Sequence, residues 1–170
     1  EKRLEKDTSS LRTNTTVTNT MPKELEKIDE KTKKRESLVI YLLVNYPEKS
    51  YERLKNIFEN DLIKVDTNKQ IINKLNEEYE KGNINIENIL DLFEDEITVN
   101  YLSGIMSSDF EITDVDKCIE DVLVTYRKEL LLQRRNEILG KIDNNDLTKE
   151  EVANLEAQLN EVIIQLAKIK

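Results

Sequence analysis

The stretch that decides the fold is the C-terminal sequence 147–169, LTKEEVANLEAQLNEVIIQLAKI. Its apolar positions are separated by gaps of three and four residues: Val152, Leu155, Leu159, Val162, Leu166 and Ile169. That spacing is typical of a helix that lies against another helix. Thr148 and Glu151 form a capping box, which marks where such a helix begins. The sequence therefore predicts a terminal helix within residues 144–170 that docks onto something.

The preceding segment, residues 114–143, supplies a helix for it to pack on. Asp114 is a favourable N-cap, and apolar residues recur from there to Ile142. The pattern fits either one long connecting helix or two helices with a bend near Arg134–Arg135, within residues 130–142. A short turn between two apolar-striped helices predicts an antiparallel helical hairpin.

Residues 25–113 are predicted to form a helical bundle. The sequence ESLVIYLLVN at 36–45 is apolar on most of its faces, which predicts a helix at the centre of the bundle that ends before Pro47. The other predicted helices are 51–57 with Ser50 as cap, one opened by a Thr67–Gln70 capping box and ended at Gly82, 86–93 and 96–108. Residues 1–24 are polar and without helical period, and they are predicted to be a flexible linker.

The composition agrees with an all-α protein, here a helical bundle joined by a long helix to a C-terminal antiparallel helical hairpin. Charged residues make up 36% of the chain, with only three Gly and two Pro. No apolar run is long enough for a membrane span. The single cysteine, Cys118, cannot form an internal disulfide, which suits the cytoplasm. Because the chain begins at Glu1 rather than Met, we expect a piece of a longer protein.

Several kinds of chemistry are excluded or unsupported. There is no histidine, so histidine-based catalysis and metal ligation are excluded, and the isolated glycines form no phosphate loop. Residues 143–146 resemble the start of a calcium loop, but Thr148 and Asn154 stand where its Gly and Glu are needed. We expect no catalytic residue, cofactor or metal. The chain carries a net charge of −9, which argues against direct nucleic-acid binding.

Runs of adjacent apolar residues point instead to a protein partner. Consecutive residues of a helix point to different sides. We therefore expect Leu130–Leu132 and Ile163–Ile164 to place side chains either in a wide buried stripe or at an interface. The positions expected to remain open for a partner are Arg134, Arg135, Ile138, Leu147, Leu155, Ile163, Ile164, Gln165 and Lys168.

Three segments resemble the C-terminal helicase-interaction domain of bacterial DNA primase (DnaG type). They are RESLVIYLL at 35–43, NKLNEEYEKG at 73–82 and DKCIEDVL at 116–123, followed by the Glu-, Leu- and Lys-rich hairpin. The resemblance covers residues 34–170 and rests on the order and pattern of the elements. It implies a non-catalytic, cytoplasmic bacterial module whose parent protein synthesises RNA primers. It also implies docking of the hairpin onto the N-terminal domains of the replicative hexameric helicase (DnaB type).

Two other interpretations stay open at this point. The same bundle-plus-hairpin arrangement occurs in the N-terminal domain of the replicative helicase, although there the linker would follow the hairpin instead of preceding the bundle. A structural self-association module is the other. The apolar repeat lasts under three heptads, which is short for an independent coiled coil, so we expect a monomer.

Overall fold

The computed structural model describes residues 21–144 and 146–169, and every regular element in these ranges is a helix. The predicted all-α class is confirmed. The α-helices are α1 (Glu30–Asn45), α2 (Pro47–Glu59), α3 (Asp66–Glu80), α4 (Glu96–Met106), α5 (Val115–Ile142) and α6 (Lys149–Lys168). Two 3-10 helices lie at Lys23–Lys27 and Ile89–Leu92, the second replacing the longer helix predicted at 86–93.

Helix α1 lies at the centre of the larger hydrophobic core, as its sequence predicts. Val39, Ile40, Leu42 and Leu43 are fully buried, and α1 contacts α2, α3, α4 and α5. A helix surrounded on most sides must be apolar on most faces, which explains why no polar stripe interrupts this run.

The start of α2 differs from the prediction. Pro47 opens this helix directly after α1, a position where the missing N–H of proline is not needed. Ser50 is therefore no cap but an interior residue, and its buried hydroxyl donates to the carbonyls of Leu42 at 3.0 Å and Tyr46 at 2.8 Å. These bonds tie the end of α1 to the first turn of α2.

The predicted Thr67–Gln70 capping box is also wrong, because two distant carboxylates cap α3 instead. Glu24 accepts from the backbone N–H groups of Asp66 at 3.2 Å and Thr67 at 2.7 Å. Glu36 accepts from the backbone of Lys64 and Val65 just before the helix. A carboxylate at a helix N-terminus accepts hydrogen bonds from the free N–H groups there. It also interacts favourably with the positive end of the helix dipole.

The 3-10 helix that carries Glu24 also revises the domain boundary. Residues 1–20 of the predicted linker lie outside the described residues. The predicted linker extends to residue 24, yet Lys23–Lys27 is helical and Leu25 is only 3% exposed. The packed body therefore includes residues that the sequence assigned to the linker.

Replacing Glu24 by Ala is expected to destabilise the protein by about 1 kcal/mol, the typical effect of losing a helix cap. Two N–H groups of α3 would lose their acceptor. Urea unfolding followed by circular dichroism measures the change. Glu26→Ala is the matched control, since Glu26 is exposed in the same short helix. Equal effects of the two substitutions would contradict the capping role.

Helix α5 joins the two halves of the molecule without interruption. Its first half packs on α1 and α2 through Ile119, Val122 and Tyr126 in the larger core. Its second half packs on α6 around a separate, smaller core. Of the two alternatives left open by the sequence, a single helix over residues 115–142 is the one observed.

Candidate functional site on the terminal hairpin

The candidate site is the surface of the terminal hairpin, by which we mean residues 127–142 of α5 together with α6. The capping box predicted at the N-terminus of α6 is present. The Glu151 N–H donates to the Thr148 hydroxyl, and the Glu151 carboxylate accepts from the Thr148 N–H. Of the residues that the structure describes, Leu131, Ile138 and Val162 are the ones buried in the core of the hairpin. The half-buried residues around them are Ile142, Leu155, Leu159, Leu166 and Ile169.

A core this small leaves large apolar side chains outside. Ile163 is 47% exposed and Ile164 55% exposed, although the adjacent Val162 is buried. Each residue of an α-helix is rotated by about 100° from the last, so the two isoleucines turn away from the α5 side of α6. Exposed branched apolar residues of this size beside charged ones are typical of a surface that another protein covers.

The face that carries Ile164 also carries two alanines, between polar residues such as Asn160 and Lys168. Ala153 and Ala157 precede Ile164 by eleven and seven residues, which places all three along one face, and all three are exposed. Small side chains let the backbone of a second helix approach closely, and Ile164 would then be the main apolar anchor. We call Ala153, Ala157 and Ile164 the outer face of α6.

The structure divides the nine residues predicted to be open to a partner. The exposed ones are Arg134, Ile163, Ile164, Gln165 and Lys168. Those that are partly covered are Arg135, Leu147 and Leu155. Whether any of them binds a partner stays a prediction.

Ile138 is a correction, because it is 4% exposed and belongs to the hairpin core. It follows Leu131 by seven residues, two helical turns, so both point from α5 toward α6. Leu155 lies on the α5 side of α6 and contributes to the same core. Neither Ile138 nor Leu155 belongs to the outer face of α6.

On the hairpin, Leu139 is an exposed apolar residue that was not predicted, at 41% exposure. The signal was present, since Ile138–Leu139 is an apolar pair like Ile163–Ile164. In Ile138–Leu139 one residue turns to solvent because adjacent helical residues cannot share a face, whereas in Ile163–Ile164 both are exposed.

The three consecutive leucines, Leu130–Leu132, form a wide apolar stripe on α5. Leu131 is buried in the hairpin core, Leu130 packs against the larger core, and Leu132 is half-buried. Neighbouring leucines therefore belong to two different cores, at the point where α5 passes from the body to the hairpin.

Metal-ligating groups and the cysteine were the remaining candidates for chemistry. No group of three or more metal-ligating side chains lies together within residues 21–144 and 146–169. Cys118 is half-buried, and burial raises the pKa of its thiol, which disfavours the reactive thiolate. None of the helices in the described part of the chain combines the length and the apolar character that crossing a lipid bilayer requires.

No family model, curated protein or solved structure matches this chain. The functional interpretation therefore depends on the residues of the hairpin and on the sequence pattern alone.

Proposed function

We propose that this chain is the helicase-binding module of a bacterial DNA primase, which docks through its terminal hairpin onto the N-terminal domains of the replicative hexameric helicase. In this role the module brings primer synthesis to the point where DNA is unwound. It has no catalytic residue of its own, and the chemistry belongs to the parent primase. The order of its helical segments and their resemblance to that family supply the identity of the partner.

The observation that carries the proposal is the exposed pair Ile163–Ile164 on α6. Two adjacent branched apolar side chains, each about half exposed, are unfavourable in water unless a partner covers them. Ala153 and Ala157 extend the same surface toward the turn. A helix of the partner laid along this face would cover the isoleucine side chains. It would lie close to the α6 backbone at the two alanines.

The body of the protein contributes by holding the base of the hairpin. Arg35 of α1 forms an ion pair with Glu129 of α5 at 3.0 Å, and its guanidinium lies 4.8 Å from the centre of the Tyr126 ring. Both partners of Arg35 stand where α5 leaves the larger core. Because α5 is continuous, this contact links the hairpin directly to the body.

Replacing Ile164 by Asp is expected to weaken helicase binding about tenfold or more, since a charge would replace an apolar anchor. The fold should be unaffected because the side chain is exposed. The measurement is isothermal titration of the full chain with a bacterial replicative helicase. Ile97→Asp is the matched control, because Ile97 is similarly exposed on α4 of the body.

Two results would contradict the proposal. One is unchanged helicase affinity in a chain that ends at Asp143 and so lacks α6. The other is a stable dimer at micromolar concentration in sedimentation, with dissociation by Ile164→Asp, which would favour self-association through the same face. Loss of residues 1–20 is expected to leave the affinity unchanged.

A further inference from the structure

A second feature of the hairpin lies where the end of α6 passes α5. A cavity of about 480 Å³ opens there between the two helices. Arg127 and Arg134 line it from α5, and Gln165 and Lys168 line it from α6. We call this cavity the cationic groove. It is distinct from the outer face of α6, since Ile163 and Ile164 are not among its lining residues.

The charge of the groove is opposite to that of the protein. In the part of the chain that the structure describes, three cationic side chains line it and no acidic one does, although the net charge of the chain is −9. Within the described residues, none of Arg127, Arg134 and Lys168 forms an ion pair. Arginines elsewhere on the body are engaged, Arg35 with Glu129 and Arg53 with Asp116. The groove therefore holds cationic charge that the described residues leave without an ion-pair partner.

The floor of the groove is apolar. Leu130 and Leu131 lie between the two arginines along α5, and Ile169 closes the end. Arg127 and Leu130 also line a second cavity of about 260 Å³, which reaches Asn56 and Asn60 at the end of α2.

We propose that the cationic groove binds an acidic peptide segment of a partner protein, with carboxylates on Arg127, Arg134 and Lys168 and an apolar side chain on the leucine floor. Charge complementarity selects the acidic side chains, and guanidinium groups can bind carboxylates through two parallel hydrogen bonds. That the segment belongs to the helicase rests on the proposed function, whereas acidic-peptide binding does not.

A nucleic-acid strand fits the groove less well. Strands without sequence preference bind to clefts that combine cations with aromatic side chains on which bases stack. Among the described residues no aromatic one lines the cationic groove, and the acidic remainder of the surface repels phosphates.

The test is a titration of the isotopically labelled full chain, followed by NMR, with a short synthetic peptide that carries two leucines one helical turn apart among glutamates. We expect shifts at Arg127, Leu130, Arg134 and Lys168, and weaker binding as salt rises from about 50 to about 300 mM. The double variant Arg134→Glu/Lys168→Glu should bind at least about tenfold more weakly. The matched control is Lys128→Glu, which changes an exposed cation next to Arg127 that does not line the groove.

Three outcomes would overturn the inference: shifts outside the groove, equal affinity for the peptide with glutamines in place of glutamates, or tighter binding of a single-stranded oligonucleotide to the same residues. Helicase binding by the same proteins separates the two proposals. If the natural chain binds the peptide but not the helicase, and the double variant does not bind the peptide, only the proposed function is refuted. If the natural chain does not bind the peptide, and both it and the double variant bind the helicase, only the proposed binding of an acidic peptide in the groove is refuted.

Discussion

Replacing Glu36 by Ala is expected to lower the free energy of unfolding by about 3–5 kcal/mol. The Glu36 side chain is completely buried, and its carboxylate accepts three hydrogen bonds. They come from the backbone N–H groups of Lys64 at 2.5 Å and Val65 at 3.2 Å, and from the side-chain amide of Asn68 at 2.8 Å. Alanine would leave these donors without an acceptor in the interior and would also leave a cavity.

Urea unfolding measures this effect, with circular dichroism as the signal. Glu30→Ala is the control on the same helix, and because Glu30 is exposed, a change within about 0.5 kcal/mol is expected. Glu36→Gln should fall between the two, since its amide retains one acceptor oxygen but turns an N–H₂ group toward one of the donors. A Glu36→Ala protein as stable as the Glu30→Ala protein would show that the carboxylate does not hold α3 in place.

Glu36 also shows what the sequence cannot reveal. It lies in the segment that resembles the primase family, but nothing local distinguishes it from an exposed glutamate at a helix start. Its partners are 28 to 32 residues away, so its burial depends on how α1 and α3 pack. The cap of α3 by Glu24, 42 residues distant, escaped prediction for the same reason.

Features with local causes were predictable. The capping box at Thr148 and Glu151 involves residues three apart, and the central position of α1 follows from its unbroken apolar run. The Ser50 cap failed although its signal was local, because Pro47 at the first helical position outweighed a serine three residues later.

The candidate site was predictable to the extent that one helix defines it. Ile164 falls outside the apolar repeat of α6, so its exposure follows from periodicity alone. Ile138 could not be placed in that way, since the face that α5 turns to α6 depends on how the two helices align. Arg127 was missed because the cationic groove exists only where both helices meet.

The alignment of α5 and α6 leads to the second large effect. Replacing Val162 by Asp is expected to detach α6 while the body remains folded. Counting the described residues, Val162 is one of three buried residues in the hairpin core, whereas 22 buried apolar residues form the larger core. An unpaired buried carboxylate destabilises its surroundings by about 3 kcal/mol or more, which exceeds what so small a core can supply.

The expected signature is loss of the helical signal of Lys149–Lys168 by circular dichroism, with amide protons of α1 still protected from hydrogen exchange. Helicase binding should disappear along with α6. Ile164→Asp, two residues later, provides the contrast: it should keep α6 folded and weaken only the binding. If Val162→Asp instead unfolds α1 and α6 together, the hairpin and the body form one cooperative unit, and a hairpin that docks independently is ruled out.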